Sequence, residues 1–128
     1  MGLGERLAGL LPPGSVVLLT GPLGSGKTVL VKGIARGMGI DEEIVSPTYT
    51  LVAEYSGSKP LNHVDLYRIE GKSEVESLGM DDILWGEGIT VVEWGEKLEE
   101  DLPRPPVRIT FSIESESSRG ITVEGIEL

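Results

Sequence analysis

The segment Gly21-Pro-Leu-Gly-Ser-Gly-Lys-Thr28 constrains this chain more than any other. It fits the pattern Gly, four residues, Gly, Lys, then Ser or Thr, which forms a loop whose backbone N–H groups cradle phosphates. Such a loop needs a buried strand before it and a helix after it. Ser15-Val-Val-Leu-Leu-Thr20 is almost wholly apolar, as a strand covered on both faces should be. After the loop, Leu30, Ile34 and Met38 fall at i, i+4 and i+8 with Val31 and Ala35 beside them, a helical stripe that Gly37 and Gly39 can end. Gly24 and Gly26 can take the positive φ that lets backbone approach a phosphate closely. The helix start adds partial positive charge. Leu23, Gly24, Ser25 and Gly26 then form the cradle, Lys27 reaches the β- and γ-phosphates, and the Thr28 hydroxyl serves as a magnesium ligand. The pattern predicts a protein that binds a nucleoside triphosphate.

Composition narrows the classes. A length of 128 residues predicts one domain over residues 1–128. No apolar stretch approaches the roughly 18 residues of a membrane-spanning helix. The start, Met1-Gly-Leu-Gly-Glu-Arg6, lacks the basic region and long apolar region of a signal peptide. With no Cys, disulfides, thiol catalysis and thiolate metal sites are excluded, and the expected location is cytoplasmic. The net charge of −10, with only 11 scattered Lys and Arg residues, argues against stand-alone binding of RNA or DNA. A basic protein partner, or solubility alone, accounts for the charge better.

The remaining pattern predicts an α/β sandwich with a mixed, mostly parallel central sheet. Residues 3–11 read as a helix stopped by Pro12-Pro13-Gly14. Pro47 makes Ser46-Pro-Thr-Tyr-Thr50 a loop. Leu51–Tyr55 and Leu61–Leu66 read as strands around the turn signal Ser56-Gly-Ser-Lys-Pro60. A short helix follows over 73–80, then a buried strand at Ile89–Glu93 and a helical turn over 96–100. Val107–Ile113 and Ile121–Ile126 alternate apolar and polar residues, as a C-terminal antiparallel pair would. That order of strands and helices is the basis for the α/β assignment.

A phosphate loop needs an acid at the end of a neighbouring strand as a second magnesium partner. Two residues qualify on pattern alone. Glu93 closes Ile89-Thr-Val-Val, and Asp65 closes Leu61-Asn-His-Val. Taken singly each could be an ordinary solvated strand-end charge; beside the phosphate loop both become candidates. Thr48 lies where switch-type hydrolases offer a hydroxyl to magnesium or the γ-phosphate, although Ser46-Pro-Thr48 is locally an ordinary turn. His63, the only His, reads as a satisfied, half-buried residue rather than a catalyst. Trp85 and Trp94 read as core or interface anchors, and Arg68 as a partner for a carboxylate or phosphate.

The phosphate loop, Ser46-Pro-Thr-Tyr-Thr-Leu-Val52, Glu54-Tyr55, His63-Val-Asp-Leu-Tyr-Arg68 and Val92-Glu-Trp94 together resemble the TsaE family, formerly YjeE, from about Leu3 to the C-terminus. The Ser-Pro-Thr, His-x-Asp-x-Tyr-Arg and Glu-Trp set is far more specific than the loop alone. The resemblance implies a phosphate-loop ATPase with weak intrinsic turnover. Such a protein works with the TsaB–TsaD pair, which places a threonylcarbamoyl group on adenosine 37 of tRNAs reading ANN codons. It implies ATP and ADP as ligands and Thr28 and Glu93 as the Mg²⁺ ligands. Asp65 would lie near the γ-phosphate and its water, Thr48 in the switch loop, Trp94 beside the active site and Arg119 near the nucleotide. The chain departs from the family at Pro22, commonly Asp, and Gly95, often Pro. Relatives usually carry an extra strand and a Thr-containing segment before the first helix that help hold the adenine; without them base selectivity is expected to be weaker. Two other classes compete. A GTPase would show Asn-Lys-x-Asp and Asp-x-x-Gly, and neither string occurs. A small phosphate-loop metabolite kinase would carry an Arg-bearing lid, whereas Arg104, Arg108 and Arg119 are spread along the C-terminal third.

Overall fold

The structure is a computed structural model that describes residues 2–22, 25–44, 52–67, 83–97, 102, 105–116 and 118–126, the side chains of Lys97 and Arg119 excepted. The elements in chain order are α1 (Gly2–Leu10), β1 (Val16–Thr20), α2 (Lys27–Gly37), β2 (Val52–Ser56), β3 (Pro60–Asp65), β4 (Ile89–Glu93), a 3₁₀ turn at Gly95–Lys97, β5 (Val107–Ile113) and β6 (Arg119–Glu124). One sheet of six strands runs β2-β3-β4-β1-β5-β6. Pairings β3/β4, β4/β1 and β1/β5 are parallel; the outer pairs β2/β3 and β5/β6 are antiparallel. This is the mixed, mostly parallel sheet with a C-terminal antiparallel pair that the sequence predicts. The expected loop at 46–50 and helix over 73–80 lie outside the described residues.

Side-chain alternation along the central strands feeds two cores. Val17 and Leu19 of β1, Leu61 of β3, Ile89 and Val91 of β4, and Val107, Ile109 and Phe111 of β5 join Leu7 of α1 and Leu30, Val31 and Ile34 of α2. Val16, Leu18, Val64 and Val92 face the other way, against Leu66 and Leu84. Both described helices therefore cover the same face of the sheet. Strands β1 and β4 are neighbours, yet after β1 the chain goes on to β2 and β3 on one side of the pair, and after β4 to β5 and β6 on the other. In such sheets that switch point opens the crevice where ligands bind.

Two glycines have roles that periodicity alone does not separate. Gly39, at φ 74, follows the last turn of α2: its N–H donates to Arg36 O at 3.1 Å and the Ile40 N–H to Ala35 O at 3.0 Å. That is the left-handed C-terminal cap, and Gly39 ends the helix. Gly37 is instead the last residue of α2 itself, where a Cβ would stand 2.6 Å from Ala8 Cβ. Gly4 of α1 does the same from the other side, its Cβ falling 2.7 Å from the Gly33 carbonyl carbon and the Ile34 nitrogen. Helices α1 and α2 thus touch backbone to backbone.

A matched pair of substitutions tests this contact. Gly4→Ala should destabilise by about 1–3 kcal/mol, because the added methyl meets backbone that cannot move aside. Gly9→Ala, in the same helix with nothing within 4 Å of the new methyl, should stabilise by about 0.5–1 kcal/mol. Thermal and urea unfolding of the two variants reads the opposite signs; equal effects would refute the close contact.

Candidate functional site

The register of the sheet assembles the polar residues. Glu93 ends β4 and pairs with Asp65 on β3 and with Leu19 on β1. Leu61, His63 and Asp65 alternate onto the face that carries α2, as do Ile89, Val91 and Glu93. The first turn of α2 sits over that face. Thr28 Oγ1 donates to Glu93 Oε1 at 3.1 Å and Oε2 at 3.2 Å. Glu93 is 4% exposed, and on its far side His63 Nε2 lies 2.6 Å from Oε2.

The phosphate loop enters α2 through Gly26, whose φ of 105 is the left-handed conformation that favours glycine. Among the described residues no side chain caps the N-terminus of α2. Its first N–H groups and the positive end of its dipole therefore face the crevice. Ser25 is buried, its N–H donating to Pro22 O at 3.2 Å and its hydroxyl finding no partner among the described residues. Pro22 is exposed, so its difference from the family pattern leaves the loop backbone unhindered. Phe111 of β5 supports the loop from below: a Cβ on Gly21 would lie 2.8 Å from Phe111 Cβ.

Lys27 is nearly buried. Its Nζ donates to Gly21 O at 2.5 Å and stands 3.5 Å from the centre of the Trp94 ring. Burial holds its pKa below the usual lysine value of 10.5, against the opposing pull of Glu93, Glu96 and Asp65. Trp94 reaches this position through a backbone φ of 60, uncommon for a bulky residue, which turns the chain sharply off the end of β4. Its ring also lies 5.1 Å from that of Tyr67. The Tyr67 N–H in turn donates to Asp65 Oδ1 at 2.9 Å. Burial raises the Asp65 pKa above 3.8, and the neighbouring Glu93 raises it further; the Tyr67 N–H, His63 and Lys27 pull the other way.

The structure thus brings Ser25, Gly26, Lys27, Thr28, Asp65 and Glu93 to one crevice. Leu23, Gly24, Thr48, Arg68 and Arg104 lie outside the described residues, and of Arg119 only the backbone at the start of β6 is described. Three side chains add to what the sequence shows. His63 is fully buried rather than half-buried, with one ring nitrogen on Glu93 and the other without a partner among the described residues. Trp85, read as a core or interface anchor, is 63% exposed, which removes the core alternative and leaves the interface one. Phe111, read only as an apolar position of a strand, packs against the phosphate loop. A signal for His63 was present: it shares strand parity with Asp65.

Comparison with known proteins places the chain. The model of the family "Threonylcarbamoyl adenosine biosynthesis protein TsaE" matches residues 1–121. The tRNA threonylcarbamoyladenosine biosynthesis protein TsaE of Treponema pallidum is 43% identical over 120 residues, covering 94% of this chain and 89% of that protein. Its Bacillus subtilis counterpart is 41% identical over 120 residues, covering 93% and 75%. The crystal structure of Bacillus subtilis YdiB superposes with a TM-score of 0.76 at 34% identity, over 95% of this chain and 75% of that one.

The raised Asp65 pKa predicts a pH-dependent penalty. The folded state binds the proton more tightly than the unfolded chain, so this group's contribution to stability is greatest below 3.8 and is lost as pH rises through the folded value. Asp65→Asn should therefore melt at a higher temperature than the parent at pH 7, and the difference should shrink as pH falls toward 4. A pH series of thermal melts without nucleotide reads it; a difference independent of pH would contradict the assignment.

Proposed function

The chain belongs to the TsaE family of threonylcarbamoyl adenosine biosynthesis proteins, and from that membership we propose that it is a magnesium-dependent ATPase serving that biosynthesis. In this reading it binds and hydrolyses ATP in the cytoplasm. It acts with the TsaB–TsaD pair, which modifies adenosine 37 of tRNAs reading ANN codons. The observation that carries the reading is the Thr28–Glu93 contact at 3.1 Å, a hydroxyl and a carboxylate meeting at the N-terminus of a helix that follows a phosphate-loop sequence. Two hard oxygen donors at the place where phosphate would lie fit Mg²⁺, which commonly takes one or two protein oxygens and completes its shell with phosphate and water.

The chain's own groups divide the remaining work. Loop N–H groups from Leu23 to Lys27 and the first turn of α2 receive the phosphates. Lys27 exchanges its bond to Gly21 O for phosphate oxygens; a desolvated ammonium gains more from an anion than a hydrated one does. Thr28 and Glu93 hold magnesium, which when bound offsets charge on the phosphate oxygens. Asp65, at the strand end beside Glu93, orders the attacking water, and its raised pKa suits it to accept a proton. Thr48 and Arg119 complete the nucleotide site from the switch loop and from β6. Turnover by the isolated chain is slow, and the acidic surface does not hold tRNA by itself.

Two measurements test this. Lys27→Ala should weaken nucleotide binding by about 2–4 kcal/mol while leaving the fold intact, because a phosphate loses its cationic partner in a partly desolvated loop. Calorimetry showing wild-type affinity in that variant would remove the phosphate-loop assignment. Steady-state hydrolysis should be slow alone and rise when the TsaB–TsaD pair is added, with no tRNA binding by the isolated chain at physiological salt. Rapid turnover alone, or phosphate transfer to a small metabolite, would refute the reading.

A further inference from the structure

We propose that His63 is the positioning residue that fixes the Glu93 carboxylate for its metal, as an Nε2–H donor set into the middle of the sheet. The inference rests on the magnesium role given to Glu93 above. His63 is 0% exposed, and its Nε2 lies 2.6 Å from Glu93 Oε2. The Thr28 hydroxyl already donates to both oxygens of that carboxylate, at the longer distances of 3.1 and 3.2 Å. A carboxylate accepts hydrogen bonds, so the hydrogen of this contact sits on Nε2. Nδ1 is buried and meets no partner among the described residues.

That arrangement is poor packing chemistry. A buried polar ring with one of its two nitrogens without a partner among the described residues is less favourable than an aliphatic side chain of similar volume. Among the described residues the polar contact that the ring makes is the one to Glu93. Its effect there is specific. Glu93 has three side-chain torsions, and Thr28 restrains it only from the α2 side. The short contact from β3 adds a second restraint at Oε2, so the carboxylate is held from both β3 and α2. Partners of this kind, which orient a metal ligand through its far side, typically change metal affinity or activity by about 10–100-fold when removed.

The chain's single His makes the proposal directly measurable. Long-range ¹H–¹⁵N spectra of the imidazole in the wild-type protein at neutral pH should show Nε2 protonated; a bare Nε2 would overturn the proposal. Magnesium chloride should then be titrated by calorimetry onto the ADP-bound protein for the wild type, His63→Leu, His63→Gln and Glu93→Gln. His63→Leu, which fills the space without a donor, should need about 10–100-fold more magnesium, while its affinity for ADP in EDTA stays unchanged. His63→Gln, which restores an N–H near the Nε2 position, should return close to the wild type. Wild-type magnesium affinity in His63→Leu, with Glu93→Gln weakened, would assign His63 to packing and leave the reading of Glu93 standing. Wild-type affinity in Glu93→Gln would remove that reading itself, and this proposal with it. Should His63→Leu fail to fold, the imidazole spectrum and His63→Gln decide in the same two directions.

Discussion

Parallel pairing of β1 with β4, and of β4 with β3, decides where every polar group of the site lies. Adjacent strands stand about 4.8 Å apart, so three strand ends in register bring the base of the phosphate loop, Glu93 and Asp65 into one row. The register is held by apolar side chains on both faces. Slipping β4 by one residue would carry Glu93 into the cluster of Val16, Leu18, Val64 and Val92 and expel Val92 to the crevice. The cost of burying an acid among those side chains protects the alignment. Core packing and site geometry are therefore the same constraint, and α2 can add Thr28 to Glu93 because the sheet presents Glu93 on the helix side.

Much of this was legible in the chain. The almost unbroken apolar run before Gly21 marked a strand covered on both faces, and the i, i+4, i+8 spacing marked α2. The acids closing two apolar runs marked strand ends at the site. What stayed hidden was tertiary. Alternation locates His63 on a face but does not say which residue of the neighbouring strand lies opposite; that requires the β3–β4 register. Phe111 reads as one more apolar position of β5 until β5 is known to lie beside β1, under the loop. Gly37 reads as a helix end, and α2 does end there, but local sequence gives no sign that the same glycine also admits a second helix. Trp85 kept two readings, core or interface anchor, because an aromatic residue carries no record of whether the fold covers it.

The site keeps its charges in places that disfavour them. Burial pushes the Lys27 ammonium and the Asp65 carboxyl each toward its neutral form, and Glu93 lies almost out of contact with water. Trp94 adds a backbone conformation that costs about 1–3 kcal/mol where a bulky residue adopts it. A protein selected for stability alone would lack these features, and their concentration in one crevice is the usual mark of a working site. An anion entering the crevice would offset the cost of burying the Lys27 ammonium.

The backbone contact between Gly4 and Gly33, with Gly37 against Ala8, also has a mechanical meaning. Helices that meet through a layer of side chains can slide a little by switching rotamers. At these glycines there is no such layer, so rotamer changes offer α1 and α2 no room to slide there, and their relative placement is set by backbone.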